Sequence, residues 1–103
     1  MAKPKIIYID IDETICSSPH KPNYTKSFPI SKNIKKANDL YDEGHIIVYW
    51  TARGSGTGLN WEEHTKNQLK EWGVKYHEVK FGKPVYDLFI DDKNISTEEW
   101  MSK

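Results

Sequence analysis

The sequence lacks the features that mark secreted, membrane-spanning or nucleic-acid-coating proteins. It holds one cysteine, Cys16, which excludes an internal disulfide and suits a reducing compartment. No apolar run approaches the ~20 residues of a membrane span, and the lysine-flanked start has no long apolar signal segment. Fifteen basic residues balance fifteen acidic ones, so no bulk field attracts DNA or an anionic membrane. We therefore expect a cytoplasmic protein with no membrane partner, and the charge balance argues against a nucleic-acid partner.

The chain is long enough for one domain with one core, and too short for two. No internal repeat, low-complexity tract or linker divides it, so we expect residues 1–103 to form a single domain. Apolar content is modest, but four Trp, six Tyr and three Phe supply large side chains for the core.

Three short apolar runs predict the strands of a parallel sheet. They cover residues 6–11, 46–50 and 88–90, are rich in β-branched or aromatic residues, and are nearly continuous. Continuous runs are typical of strands covered on both faces, as in parallel sheets. Residues 76–79 are a weaker, fourth candidate strand.

Helical signals lie between these runs. Ile34 and Ala37 share one helical face, and Gly44 is placed to end that helix. Two capping boxes, at residues 60–63 and 96–99, predict the starts of two further helices. The resulting order is strand, helix, strand, helix, strand, strand, helix. This order favours an α/β fold with a doubly wound, mostly parallel sheet.

Polar residues collect at the predicted strand ends, where folds of this class bind ligands. Six of them stand out in order along the chain: Asp10, Asp12, Thr51, Lys83, Asp91 and Asp92. Four acids facing one lysine and one hydroxyl would carry too much negative charge for an empty pocket. A divalent cation removes the imbalance, and ligands that are all oxygen atoms favour Mg²⁺, which substrate phosphate commonly completes.

This ordered set resembles the four motifs of the haloacid dehalogenase (HAD) superfamily of phosphohydrolases. The matching residues are "DIDET" at 10–14, Thr51, Lys83 and "DD" at 91 and 92. The stretch "FGKPVYDLFIDDKNI" is similar to small capless phosphatases associated with capsular and other surface-polysaccharide synthesis. Phosphate receiver domains use similar residues, but their acidic pair comes near the start of the chain, and here it comes last.

The resemblance implies a role for each matching residue. Asp10 would be the nucleophile that forms an aspartyl-phosphate, and Asp12 the general acid and then the base. Thr51 and Lys83 would bind the phosphoryl oxygens. Asp12 also favours a phosphatase over a dehalogenase, because dehalogenase members of the family lack an acid at that position.

The resemblance also implies a metal site, and the position of Arg53, two residues past Thr51, suggests a substrate contact. Asp91 and Asp92 would bind Mg²⁺ alongside Asp10 and the backbone carbonyl of Asp12, and the sequence leaves open which of the final pair touches the metal. We predict that Arg53 contacts an anionic or hydroxyl-rich part of the substrate. The alternative is a salt bridge from Arg53 that pins its loop.

Neither gap between motifs has room for a cap domain, so we expect a Rossmann-like, three-layer HAD core with an open site. Only the flap, residues 16–30, would cover it, with Tyr24 and Phe28 over the ligand. We expect the flap to set substrate preference and to contribute little to phosphoryl transfer. The family also implies a homo-oligomer in which a second subunit covers the site.

The predicted function is hydrolysis of a small phosphorylated substrate, a sugar phosphate or related metabolite of polysaccharide biosynthesis, with Mg²⁺ as cofactor. Two alternatives stay open at this point. One is a nucleotide or nucleic-acid-end phosphatase, for which an open site is suited. The other is a non-catalytic domain that binds a phosphorylated partner.

Overall fold

The computed structural model describes residues 3–103 of the chain. The strands and helices follow one another in this order: β1 (Ile6–Ile9), β2 (Cys16–Ser17), β3 (Phe28–Pro29), α1 (Ser31–Asp42), β4 (Ile46–Trp50), α2 (Glu62–Glu71), β5 (Glu78–Lys80) and α3 (Thr97–Met101). One turn of 3-10 helix, Tyr24–Lys26, lies between β2 and β3. None of the helices in residues 3–103 has the length and apolar character needed to cross a membrane.

The main sheet has the order β1-β4-β5, and both pairings are parallel. β4 is the central strand, and its buried middle residues explain the continuous apolar run in the sequence: Ile47, Val48 and Tyr49. β2 and β3 form a separate antiparallel pair that closes residues 16–30 into a hairpin-like flap. The predicted α/β class with a parallel sheet is therefore confirmed.

The helices follow the sequence signals closely. Ile34 and Ala37 are buried on α1, and Gly44 follows that helix with a φ of 98°, a backbone angle that glycine adopts without strain. Before α2, the Asn60 side chain accepts a hydrogen bond from the N–H of Glu62 at 2.9 Å, so its partner is not the predicted Glu63. The core combines both long helices with the strands: Ile9, Ile11, Ile15, Cys16, Ile34, Ala37, Ile47, Tyr49, Leu69 and Val74.

The predicted strand at residues 88–90 is wrong, because the structure has irregular chain there. Leu88 is 74% exposed and Ile90 is 87% exposed. The main sheet consists of β1, β4 and β5, and residues 88–90 pair with none of them. A three-residue apolar run is too short to distinguish a strand from an extended loop.

Candidate functional site

The parallel pairing of β1 with β4 brings two predicted site residues to one edge of the sheet. Ile9 pairs with Tyr49, so Asp10 and Thr51, which follow shortly after, both lie at the carboxyl end. Lys83 joins them because its backbone N–H bonds to the Thr51 carbonyl. The structure therefore collects residues from three distant parts of the chain.

Asp10 has two differently held carboxylate oxygens. Oδ1 accepts a hydrogen bond from the N–H of Ile11 at 2.9 Å, and Oδ2 lies 3.5 Å from Nζ of Lys83. Burial raises the pKa of Asp10 above its ordinary value, and the opposing effects of the Lys83 charge and the Ile11 hydrogen bond do not cancel that rise. Burial thus disfavours the charged form of Asp10 more than Lys83 and the Ile11 hydrogen bond favour it.

Lys83 and Thr51 are both more enclosed than Asp10. The Lys83 side chain is only 12% exposed, and its Nζ lies 5.9 Å from the ring centroid of Trp50 and 5.4 Å from that of Tyr86. The Thr51 hydroxyl accepts a hydrogen bond from the N–H of Arg53 at 3.1 Å, which leaves its proton available to donate. Lys83 thus contacts Asp10 through its side chain and Thr51 through its backbone N–H.

Asp12 has a different environment from Asp10, although only one residue separates them. Nε of Arg53 donates to Oδ2 of Asp12 at 3.0 Å, and Nη2 donates to Oδ1 at 2.9 Å. The hydroxyl of Ser18 also donates to Oδ1. Burial alone would raise the pKa of Asp12, but the Arg53 contacts, with help from Ser18, outweigh it and hold that pKa below its ordinary value.

Arg53 is buried, with none of its side chain exposed. Its Nη1 donates to Oγ1 of Thr65 at 3.1 Å and to Oε1 of Gln68 at 2.6 Å. Substrate contact by Arg53 stays a prediction that this placement does not favour, since the guanidinium is already engaged. The alternative, a salt bridge that pins the loop, describes the observed contacts.

The loop after β1 is tightly folded around Glu13. Glu13 has a φ of 63°, a conformation that few non-glycine residues adopt, and its N–H donates to the Cys16 carbonyl at 2.8 Å. Its side chain accepts a hydrogen bond from the N–H of Ser18 at 2.8 Å. Burial, with the charge of Asp12, raises the pKa of the Cys16 thiol to about 12, so that thiol stays neutral.

The two final acids of the predicted site are both exposed. Asp91 lines a groove of about 1070 Å³ together with Asp10 and Lys83. In residues 3–103, no three His, Cys, Asp or Glu side chains stand close enough together to hold a metal ion. The structure thus brings Asp91 to the same groove as Asp10, but it does not gather the four predicted acids, Asp92 included, into one cluster.

Four aromatic side chains form part of the lining of that groove, namely Tyr8, Trp50, Tyr86 and Phe89, alongside isoleucines and polar residues. Tyr8 and Trp50 meet edge to face with ring centroids 6.0 Å apart, and Tyr86 and Phe89 lie 5.3 Å apart. Binding sites for small organic molecules commonly combine such apolar walls with a few charged groups. Here the charged groups are two acids and three lysines, namely Asp10, Asp91, Lys5, Lys83 and Lys93.

The two aromatic residues of the flap have different environments. Tyr24 is buried, with its ring over the guanidinium of Arg53 at 4.6 Å, whereas Phe28 is 53% exposed. Tyr24 therefore packs beneath the surface and Phe28 is exposed, and neither of them is among the residues that line the groove beside Asp10 and Lys83.

Sequence reasoning missed three polar residues around Asp12 and Arg53, namely Ser18, Thr65 and Gln68. A signal existed for two of them. Thr65 and Gln68 are three residues apart, on the same helical face as Leu69, which marks them as buried polar groups in need of partners. Ser18 carried no such signal, because a serine in a polar loop is ordinary.

Comparisons with known proteins give a fold and no function. No family model and no curated protein matches the chain. A crystal structure of a target protein from Vibrio cholerae matches it with a TM-score of 0.83 and 22% sequence identity, over 98% of this chain and 89% of that chain. At that identity the likeness concerns the fold alone. The chain is therefore a small α/β protein with the fold of the Vibrio cholerae structure.

Proposed function

We propose that this protein is a Mg²⁺-dependent, HAD-type phosphatase that hydrolyses phosphoric monoesters through an aspartyl-phosphate on Asp10. The observation that carries the proposal is the pairing of Asp10 with Lys83 beside a groove that both residues line. A second carboxylate, Asp12, lies two positions on and has its pKa moved in the opposite direction. Two carboxylates with such different environments are typical of residues with different chemical roles.

The reaction would have two steps. An oxygen of Asp10 attacks phosphorus, the bond to the ester oxygen breaks, and that oxygen takes a proton from Asp12. Water then attacks phosphorus, gives a proton to Asp12, and the bond to Asp10 breaks, which releases phosphate. Lys83 and the Thr51 hydroxyl offset the charge on the phosphoryl oxygens in both steps.

The contacts of Asp12 favour the second step more than the first. Its lowered pKa keeps it ionised at neutral pH, as a base for water must be. In the first step Asp12 must carry a proton, which the charge of Arg53 disfavours. We therefore expect esters with good leaving groups to react faster, because they need less proton transfer in the first step.

The donor chemistry of the groove fits Mg²⁺. Asp10 and Asp91 line it with oxygen ligands, and the raised pKa of Asp10 indicates a carboxylate that a nearby cation would stabilise. Asp92 stands next to Asp91 as the other candidate ligand. Asp12 would contribute only its backbone carbonyl, since Arg53 engages both of its carboxylate oxygens. When bound, Mg²⁺ would neutralise charge on the phosphoryl group.

The groove supports a small organic phosphate as the substrate. Its volume, about 1070 Å³, is far larger than inorganic phosphate requires, and its aromatic walls suit a ring such as a sugar. A sugar phosphate of polysaccharide biosynthesis is the substrate class that we propose. The same rings would also stack on a nucleobase, so a nucleotide is the second candidate.

The finer architecture belongs to the same proposal. We propose a doubly wound, capless HAD core in a cytoplasmic protein, with a second copy of the chain over the open groove. In residues 85–90, Tyr86 and Phe89 line the groove, and the residues between and beside them offer an exposed apolar surface next to it: Val85 is 72% exposed, Leu88 74% and Ile90 87%.

A substrate panel tests this function. Purified protein would be assayed with Mg²⁺ on p-nitrophenyl phosphate, sugar phosphates, nucleotides and phosphorylated oligonucleotides. We expect the highest kcat/KM with a sugar phosphate. Higher kcat/KM with nucleotides or oligonucleotides would show that the substrate class is a nucleotide or a nucleic-acid end, and the proposed phosphatase reaction would stand. Tight binding of the esters without turnover would instead support a non-catalytic binding domain.

A further inference from the structure

We infer that Arg53 is a positioning residue that fixes the orientation of the Asp12 carboxylate, and that it does not bind substrate. The inference rests on the proposed function in one respect, that Asp12 is the group that moves the proton. The geometry behind it concerns only residues of this chain.

The guanidinium of Arg53 has five N–H donors, and all five have partners. Nε bonds to Oδ2 of Asp12, Nη1 to Thr65 and Gln68, and Nη2 to Oδ1 of Asp12 and, at 3.7 Å, to Sγ of Cys16. A substrate group could bind Arg53 only by displacing one of these acceptors. Because the side chain is fully buried, such a group would also have to pass the residues that cover it.

Arg53 is held in turn by two other parts of the chain. From α2, Gln68 accepts from Nη1 through Oε1, and its Nε2 donates to the Tyr24 carbonyl at 2.7 Å. From the flap, the Tyr24 ring covers the guanidinium at 4.6 Å, within the range of a cation–π contact. Gln68 therefore links α2 to the flap, and both are in contact with Arg53.

The arrangement leaves the two oxygens of Asp12 unequal. Oδ1 accepts from Arg53, Ser18 and Cys16. Among residues 3–103, Oδ2 accepts from Nε of Arg53 alone. The two parallel bonds to Arg53 prevent rotation of the carboxylate. Oδ2 is consequently the oxygen with a free lone pair, and we assign proton transfer to it.

The first experiment needs no activity. Arg53 is the only arginine in the sequence, so arginine labelled with ¹⁵N gives one set of side-chain NMR signals. We expect the Nη protons to be separately resolved and slow to exchange with water, and Asp12→Ala to merge them. A single averaged Nη signal in rapid exchange with water in the wild type would overturn the inference.

The second experiment measures kcat and KM. For a positioning residue, Arg53→Ala should lower kcat by about 100-fold with KM nearly unchanged. Arg53→Lys should recover little, because lysine cannot form the two parallel bonds. Guanidinium added to Arg53→Ala should restore part of kcat. A rise in KM with kcat kept would show that Arg53 binds substrate and would overturn the inference.

A second variant keeps Arg53, so it tests the same role even if Arg53→Ala does not fold. Gln68→Leu removes one acceptor of Nη1 and the link to Tyr24, and should lower kcat by about tenfold at constant KM. Unchanged kcat in this variant, together with mobile Arg53 signals, would contradict the role. Locked Arg53 signals in a protein that hydrolyses no ester would overturn the proposed function and leave the geometry. Mobile Arg53 signals in an active wild-type enzyme would overturn the inference about Arg53 and leave the proposed function in place.

Discussion

Asp12 and Arg53 are 41 residues apart in the sequence and form a two-point ion pair, with contacts of 3.0 Å and 2.9 Å. The pair connects the loop after β1 to the loop after β4. Arg53 is fully buried and the Asp12 side chain is only 13% exposed, so neither partner is well solvated by water. Removing either partner would therefore leave the other as a buried charge with no counter-ion.

Loss of the Asp12 carboxylate should destabilise the protein strongly. We expect Asp12→Ala to lower the free energy of unfolding by about 3–5 kcal/mol, measured by urea denaturation at neutral pH. Asp10→Ala is the matched control. Its carboxylate is 39% exposed and lies 3.5 Å from Lys83, a longer and less buried contact than the Asp12–Arg53 pair, so we expect a smaller loss than in Asp12→Ala. Equal losses in the two variants would contradict this account of the pair.

The pair should also weaken in acid. In the folded protein the pKa of Asp12 lies below its ordinary value of 3.8, so the unfolded chain binds that proton more tightly. The stabilisation is therefore complete above pH 3.8 and is lost as the pH falls through the lowered value. Asp10 changes the stability in the opposite direction. Because burial raises its pKa, protonation of Asp10 in acid stabilises the folded protein relative to the unfolded chain.

Urea denaturation of wild type and Asp12→Asn, from about pH 7 to about pH 3, isolates the contribution of Asp12. Both proteins keep Asp10 with its burial, Lys83 and the Ile11 hydrogen bond, so the larger causes of its pKa shift are common to the two curves. We expect the wild type to lose more stability than the variant over this range. Parallel curves for the two proteins would show that the pair does not depend on the ionisation of Asp12.

The flap should affect catalysis through one aromatic residue and substrate choice through the other. Tyr24→Ala uncovers Arg53, so we expect kcat to fall by about tenfold on every ester, including p-nitrophenyl phosphate. Phe28→Ala removes an exposed ring outside the groove lining and should lower kcat/KM only for a substrate large enough to reach beyond the groove. The reverse pattern would mean that Tyr24, not Phe28, meets the ligand.

The turn after Arg53 depends on a glycine. Gly54 has a φ of 84°, and a Cβ there would overlap the backbone carbonyl of Leu59. We expect Gly54→Ala to lower the free energy of unfolding by about 1–3 kcal/mol and to broaden the Arg53 NMR signals. Gly56→Ala is the control in the same loop, because its new Cβ would meet its nearest neighbour at an ordinary 3.8 Å. Equal stability of the two variants would show that this turn does not hold Arg53.

The elements with strong local signals were predictable from the sequence. The continuous apolar run at 46–50, rich in β-branched and aromatic residues, predicted a covered strand, and it is the central strand of the sheet. Parallel strands end at one edge, so Asp10, Thr51 and Lys83 were expected together and are together. In these places a short-range pattern determines the position of each residue.

Other features depend on long-range contacts that no local pattern encodes. An arginine in a glycine-rich loop looks the same whether it faces solvent or is buried, so the burial of Arg53 was not predictable. Its partners Thr65 and Gln68 lie on a helix twelve and fifteen residues further on. The apolar run at 88–90 had the composition of a strand, but its backbone has no strand partner among the described residues.

The most direct test of the central claim is hydrolysis of p-nitrophenyl phosphate by the wild type and by Asp10→Asn, each with Mg²⁺ and with EDTA. We predict release of p-nitrophenol by the wild type with Mg²⁺, and none above background with EDTA or in Asp10→Asn. Hydrolysis that survives both EDTA and Asp10→Asn would contradict the account, because neither the metal nor the nucleophile would then be required.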